Sequence, residues 1–331
     1  MACHVGVLPA DLLHVLSRRL EDTTAPDTQS DGVEDSGLCF LRLPHPRTGI
    51  PSLFLPYGIP GEQESTILEV QAVEPPNPRS WFLREEVVED GKLLMMTPID
   101  PAFILIPLLR VTLPTDGPGN FLPPEDLIED AANKLPSAHS GKSLSANDVV
   151  RLSSLRCIHA AMRHVCDFKE ISPEITVYRY SAERVQTYLR SKVERLSHKD
   201  VSEMSRTLTR SLVKDGFMED GKDELLKAAR LRTACDLVSQ YLARDVYEQL
   251  LSSFDFAALD THMKVLKDEA MAIAAVNMNA VEAKESKSEA KDSKDAGSDK
   301  KRKSRESTGV EKLKKANTKG MAKLSTFFQK K

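Results

Sequence analysis

Residues 79–109, RSWFLREEVVEDGKLLMMTPIDPAFILIPLL, constrain this chain more than any other stretch, because the hydrophobic period changes there within a few positions. Ser80 to Val88 is rich in aromatic and β-branched residues, Glu89-Asp90-Gly91 has turn chemistry, and Lys92 to Met96 returns. The first half therefore reads as a β-hairpin carrying Trp81 and Phe82. Asp100 then offers a carboxylate to the free N–H groups of a first helical turn, and Pro101 sits at the first helical position, where its missing N–H costs nothing. Phe103, Ile104, Leu105, Ile106, Leu108 and Leu109 are apolar almost all round, which predicts a buried helix. Pro107 removes one hydrogen bond and is expected to kink or end it. Trp81, Phe82, Asp100 and Pro101 thus mark a structural junction between a strand-built half and a helix-built half.

On the N-terminal side, Val5 to Val15 fits strand or amphipathic helix equally, and the polar segment 21–36 reads as a loop or insertion. Short apolar runs then recur between Pro and Gly punctuation at Leu38–Leu43, Ser52–Tyr57 and Thr66–Val73. That rhythm predicts a small β unit over residues 1–98, barrel or sandwich. Alternation is poor in Leu38–Leu43 and Lys92–Met96, so both faces should be covered. A unit this small buries only about 60–65% of its surface alone, so a partner is expected to finish the core.

Residues 99–262 read as helical. Glu125–Lys134 is a short acidic helix, and Val149–Phe168 keeps Leu152, Leu155, Ile158, Met162 and Val165 on one stripe. Thr176–Tyr180 is short and β-like. Ser181 caps a helix with Val185, Tyr188, Leu189, Val193 and Leu196 on one face, and Asp215–Lys222 is a turn before two further helical pieces. Helices interrupted by a small β element predict a winged-helix type domain, and the chain as a whole an α+β fold.

The net charge of −3 hides an asymmetry: residues 283–331 carry 16 Lys and Arg against 7 Asp and Glu, so the preceding body is at −12. A basic tail on an acidic body points to a nuclear or polyanion-directed tail. Residues 263–319 lack aromatics and are expected to form a disordered basic linker. Within it, Lys300, Lys301, Arg302, Lys303 and Arg305 form a cluster of nuclear-import type. The last segment, 320–331, breaks the polarity. One helical turn places Leu324 beside Phe327 and Phe328, with Met321 at the position usually held by Gln in a sliding-clamp-binding box. Five cysteines without paired spacing fit a reducing compartment. No run approaches the ~18 apolar residues of a membrane span, so a soluble intracellular protein is expected.

Catalytic constellations are absent from the pattern. Ser140-Gly141-Lys142-Ser143 ends like a phosphate-binding loop, but its leading glycine falls on Pro136. On one helix His159 and His164 lie about 140° apart, and Cys157 and Cys166 about 180°, so the four cannot meet at one ion. The reading assigns no catalytic residue, no cofactor and no metal.

Ser80–Phe82, Thr97–Leu109, Tyr178–Leu196 and Gly320–Phe328, in this order and spacing, resemble the B-subunit family of the eukaryotic heterotrimeric ribonuclease H type 2. The likeness covers most of residues 38–260 and the terminus; Pro107 and the polar insertions 21–36 and 136–147 depart from it. The family's terminal box also carries Met. The resemblance implies a β half interleaved with the C subunit as a shared multi-barrel, followed by a winged helix. That platform holds the catalytic A subunit, which cuts RNA in RNA–DNA hybrids and beside single ribonucleotides in DNA. It further implies a non-catalytic chain, a nuclear location, and a tail that binds the sliding clamp, proliferating cell nuclear antigen. The alternative from another class is a winged-helix nucleic-acid or chromatin adaptor with a clamp-binding tail.

Overall fold

In the computed structural model, which describes residues 4–23, 38–58, 65–115, 117, 119–135 and 145–292, the period change at Ile99–Pro101 separates a sheet from a helical array. The ambiguous N-terminal run resolves into both candidates, a strand β1 (Val5–Val7) and a helix α1 (Ala10–Thr23). There follow β2 (Leu41–Pro44), β3 (Pro51–Gly58), β4 (Ser65–Val73), β5 (Trp81–Leu83), β6 (Glu86–Val88) and β7 (Leu93–Ile99). Five of these strands form an open sheet in the order β1-β7-β4-β3-β2, antiparallel except for the β1–β7 pair.

The period of two assigns the two faces. Leu41, Leu43, Phe54, Ile67 and Ile99 join the core shared with the helices, while Leu55, Tyr57 and Leu68 pack with Leu12 and Leu16 of α1. Both faces are therefore covered. Within the described residues the sheet is open rather than closed into a barrel.

The hairpin differs from the sequence expectation. β5 pairs with β6 in the register Trp81↔Val88 and Leu83↔Glu86, so the reversal lies at Arg84-Glu85, with Arg84 left-handed at φ 54°. Glu89-Asp90-Gly91 instead redirects the chain into β7, the Asp90 carboxylate accepting from the Lys92 N–H at 3.1 Å. Neither Arg84 nor Glu85 is a residue that favours a left-handed turn, which is why the pattern hid it.

Helix α2 (Pro101–Arg110) begins as its first residues dictate, with Asp100 Oδ1 accepting from Ala102 N–H at 3.0 Å. Pro107 does not end it. Losing a bond inside a helix costs about 3 kcal/mol, but Leu108 and Leu109 just beyond are fully buried, and each such burial stabilises by about 1.5–3 kcal/mol. Both faces of α2 are buried, so one helix serves the cores of both halves.

Helix α3 (Pro124–Lys134) follows, then α4 (Ala146–Val150), a 3₁₀ turn (Arg151–Ser154) and α5 (Arg156–Val165). The expected single helix over Val149–Phe168 is thus broken at Leu155, which is extended (φ −85°, ψ 125°), and its last three residues belong to β8 (Cys166–Ser172). β8 pairs with β9 (Ile175–Tyr180), and Leu122 exchanges both backbone hydrogen bonds with Tyr178, adding a third strand position. Helix, strand position, helices and a β-hairpin in this order make a winged helix.

Helices α6 (Ala182–Ser197, capped by Ser181), α7 (Lys199–Ser202), α8 (Arg206–Lys214), α9 (Asp223–Val238) and α10 (Arg244–Ser252) pack beside it. The last element, α11 (Ala257–Asp292), runs through residues 263–292, where the composition predicts an unstructured linker. Ala, Met, Glu and Lys dominate that stretch, and they are strong helix formers even where few apolar residues are available for a core. By its contacts the chain divides into Met1–Leu266 and Lys267–Lys331. No helix of the described residues is long and apolar enough to cross a membrane.

Polar side chains tie sheet to helices at defined points. The Asp100 carboxylate accepts from Tyr188 Oη and pairs with Lys192 Nζ, both on α6. Glu69 on β4 is 1% exposed and accepts from Tyr241 Oη at 3.1 Å, with His45 Nε2 at 3.4 Å. His45 Nδ1 accepts from the Arg47 and Thr48 N–H groups, so its proton sits on Nε2, facing Glu69. Asp100→Ala is expected to destabilise by about 2–4 kcal/mol, above the ~1 kcal/mol of a lost cap, because it also strands the half-buried Lys192 ammonium. Urea denaturation of the full chain checks this: Asp100→Asn with Lys192→Met should recover most of the loss, and purely additive costs would exclude the coupling.

Candidate assembly surface

The two outer strands of the sheet are treated differently. β2 is covered by the helical half: Asp148 on α4 accepts from the Arg42 N–H at 3.0 Å, and Arg151 Nη1 donates to Cys39 Sγ at 3.2 Å. β1 has no second partner strand among the described residues, and its last residue, Val7, is 48% exposed. An unpaired edge is a template for another chain.

The same end of the sheet carries an exposed apolar cluster. Val73 closes β4 opposite Leu93, and Leu93 faces Val5 of β1. The β5–β6 hairpin is anchored there by Trp81, whose Nε1–H donates to the Lys92 carbonyl at 3.0 Å. Phe82 is 79% exposed, and Leu83, Val87 and Val73 are exposed as well. Grouped exposed apolar residues mark an interaction site, whereas scattered ones do not. Trp81 is half-buried rather than in the core, so the junction residues act separately. Trp81 holds the hairpin, Phe82 projects from it, and Asp100 and Pro101 start α2. Sequence reasoning picks out Trp81 and Phe82 but misses Val7, Val73, Leu83 and Val87, because exposure of single aliphatic residues leaves no pattern in the chain.

The four Cys and His positions of α5 and its C-cap are engaged apart from one another. His164 stacks on Tyr188 with ring centroids 4.7 Å apart, His159 Nε2 meets the Ser153 carbonyl, and Cys157 N–H donates to Ser65 Oγ. Cys166 is buried, and burial pushes its thiol up to about 12. Among the described residues no group of His, Cys, Asp or Glu could hold a metal ion. A cleft of about 540 Å³ lies between α2, α5 and the start of β4. Its Asp100 is tied to α6, and burial raises the Cys157 thiol, so neither is poised as base or nucleophile. The import cluster (Lys300–Lys303, Arg305) and the terminal box (Met321, Leu324, Phe327, Phe328) lie outside the described residues.

Known proteins share this architecture. A family model for the triple barrel domain of the Ydr279p protein matches residues 27–100, and one for the wHTH domain of the Ydr279p protein family, an RNase H2 complex component, matches residues 103–251. The ribonuclease H2 B subunit of Xenopus tropicalis is 28% identical over 316 residues, covering 93% of this chain and 92% of the relative. The Homo sapiens protein of that name is 25% identical over 300 residues, 88% and 86% of the two chains. That of Schizosaccharomyces pombe is 33% identical over 99 residues, 29% and 32%. The matches define a triple-barrel module followed by a winged helix. The chain belongs to the B-subunit family of ribonuclease H2, components of a complex that implies further subunits.

Gly91 sets the angle of the exposed hairpin: a Cβ there would lie 2.1 Å from the Arg79 carbonyl oxygen. Gly91→Ala must therefore shift backbone, and a cost of about 1–3 kcal/mol is expected. Trp81 is the sole tryptophan, so its emission should move to longer wavelength while the helical circular dichroism stays unchanged. Unchanged emission would show that the hairpin does not depend on that close approach.

Proposed function

We propose that the chain is the non-catalytic scaffold subunit of ribonuclease H type 2. In this reading its open sheet is completed by the C subunit into a shared barrel, and the platform holds the A subunit, which cuts RNA in RNA–DNA hybrids and at ribonucleotides embedded in DNA. The observation that carries it is the β1 edge, unpaired among the described residues, together with the exposed apolar side chains of Val7, Val73, Phe82, Leu83 and Val87. The helical half then presents the assembled complex to its substrate, and the basic tail delivers it, in the nucleus, to the sliding clamp through Met321, Leu324, Phe327 and Phe328. The adaptor alternative gains little from the wing. Arg163 pairs with Glu170, and Arg179 and Arg184 share Asp167, so two carboxylates offset most of the charge of these three cations.

Phe82→Ser with Val87→Ser should leave the chain's own stability within about 0.5 kcal/mol, since both side chains face water. Assembly should weaken by about 2 kcal/mol or more, as for an aromatic anchor at an interface. Co-purification of the three subunits from cells expressing all of them measures this, and a variant that assembles like the wild type would remove the hairpin from the interface.

The tail is tested separately. A labelled 315–331 peptide is expected to bind the sliding clamp with micromolar affinity, since it must order on binding. A Phe327→Ala/Phe328→Ala peptide should lose detectable binding. Equal binding by the two peptides would reduce the box to an accident of composition.

A further inference from the structure

We infer that α8 (Arg206–Lys214) is a nucleic-acid backbone contact, separate from the wing. The inference rests on the complex acting on nucleic acid, as proposed above, and adds the surface that would touch it. The sequence of α8, RTLTRSLVK, holds three cations and no carboxylate, although the body of the chain is strongly acidic. Arg206, Arg210 and Lys214 recur every four residues, which on a helix places them within an arc of about 80°. Leu208 and Leu212 lie on the opposite side, and Leu212 is the residue that buries. The helix is therefore held by one face and turns its cations outward, with Thr207 and Ser211 exposed beside them.

What marks this stripe is that three cations without ion-pair partners share one exposed face of one helix. None of Arg206, Arg210 and Lys214 has an ion-pair partner among the described residues. The nearest carboxylates in sequence are Glu203, which pairs with Arg230 at 3.2 Å, and Asp215 at the C-cap. The cations of the wing are paired with Asp167 and Glu170, and Arg163, Lys169, Arg179 and Arg184 lie over Phe121 or Phe168 at 4.2–5.3 Å. The wing's four cations each lie over an aromatic ring and three of them also meet a carboxylate, whereas no such contact is made by the cations of α8 among the described residues.

The spacing fits a phosphate row. Four residues of helix advance about 6 Å, so the stripe is about 12 Å long. One strand of a duplex places a phosphate about every 3.4 Å of axis, so the stripe faces roughly three to four of them. A row of cations spaced along one helix face matches a phosphate row, so the contact inferred is to the backbone and independent of sequence.

The test measures binding of the full chain, alone and in the assembled complex, to an RNA–DNA hybrid of about 30 base pairs and to a DNA duplex by fluorescence anisotropy across a salt series. Replacing Arg206, Arg210 and Lys214 by Gln should lower the slope of log affinity against log salt by about 2–3, at roughly 0.9 for each phosphate no longer neutralised. Affinity at about 0.1 M salt should fall at least about fivefold, equally for both duplexes. Arg206→Lys with Arg210→Lys keeps the charges and should bind like the wild type. Because the chain alone is one arm, failure of subunit assembly does not decide the result. An unchanged slope with the Gln variant overturns the inference. A Gln variant that keeps nucleic-acid binding but loses a subunit from the complex overturns it too, by making the stripe a protein interface.

Discussion

The Asp100 carboxylate holds two helices in one place. It caps α2 through the Ala102 N–H, and it receives Tyr188 Oη and Lys192 Nζ from α6. A cap alone would fix where the helix starts; the α6 contacts also fix which way the helix points. That matters because α2 is buried on all sides and serves both the sheet and the winged helix. If α2 were free to rotate, the two halves would each have to find a separate core. With its first residue fixed, Phe103, Ile104, Leu105, Leu108 and Leu109 are delivered to one continuous core. His164 stacked on Tyr188 carries the same constraint into α5, the helix that precedes the wing.

The sheet is finished on its faces and unfinished at one end. α1 covers one face and the helical core the other, and β2 is capped by Asp148 and Arg151. What remains among the described residues is the β1 edge and the hairpin anchored next to β7, which is where the proposed assembly surface lies. An unpaired edge strand is a template for another chain, and grouped exposed apolar residues mark an interaction site.

Much of the architecture is legible in the sequence because its signals are local. Asp100-Pro101 before an unbroken apolar run, and Ser181 before a one-faced stripe, are strong helix starts, and the helices begin there. The errors fall where local signals mislead. Glu89-Asp90-Gly91 has ideal turn chemistry but is not the tip of the hairpin, because Arg84 accepts a left-handed conformation that its residue type does not advertise. Cys166 to Phe168 continue an apolar stripe and yet open a strand, since pairing with β9 outweighs propensity. The helix beyond residue 263 escapes notice for the opposite reason: low hydrophobicity suggests absence of order, though Ala-rich sequence favours helix without a core. The assembly surface is half legible. Its aromatic residues stand out in the chain, whereas its aliphatic ones become visible only as a group in space.

The buried Glu69 has a consequence for the order in which the chain can mature. Its neighbour His45 lies on the preceding hairpin, but its second partner, Tyr241, is 172 residues further on. During synthesis the sheet emerges first, with a carboxylate on its inner face opposite Phe54 and no phenol yet made to receive it. A carboxyl group buried in that position needs hydrogen-bond partners on the side that becomes core. The site is completed only by Tyr241, so a strand near the start of the chain is matched to a hydroxyl near the end of its helical half.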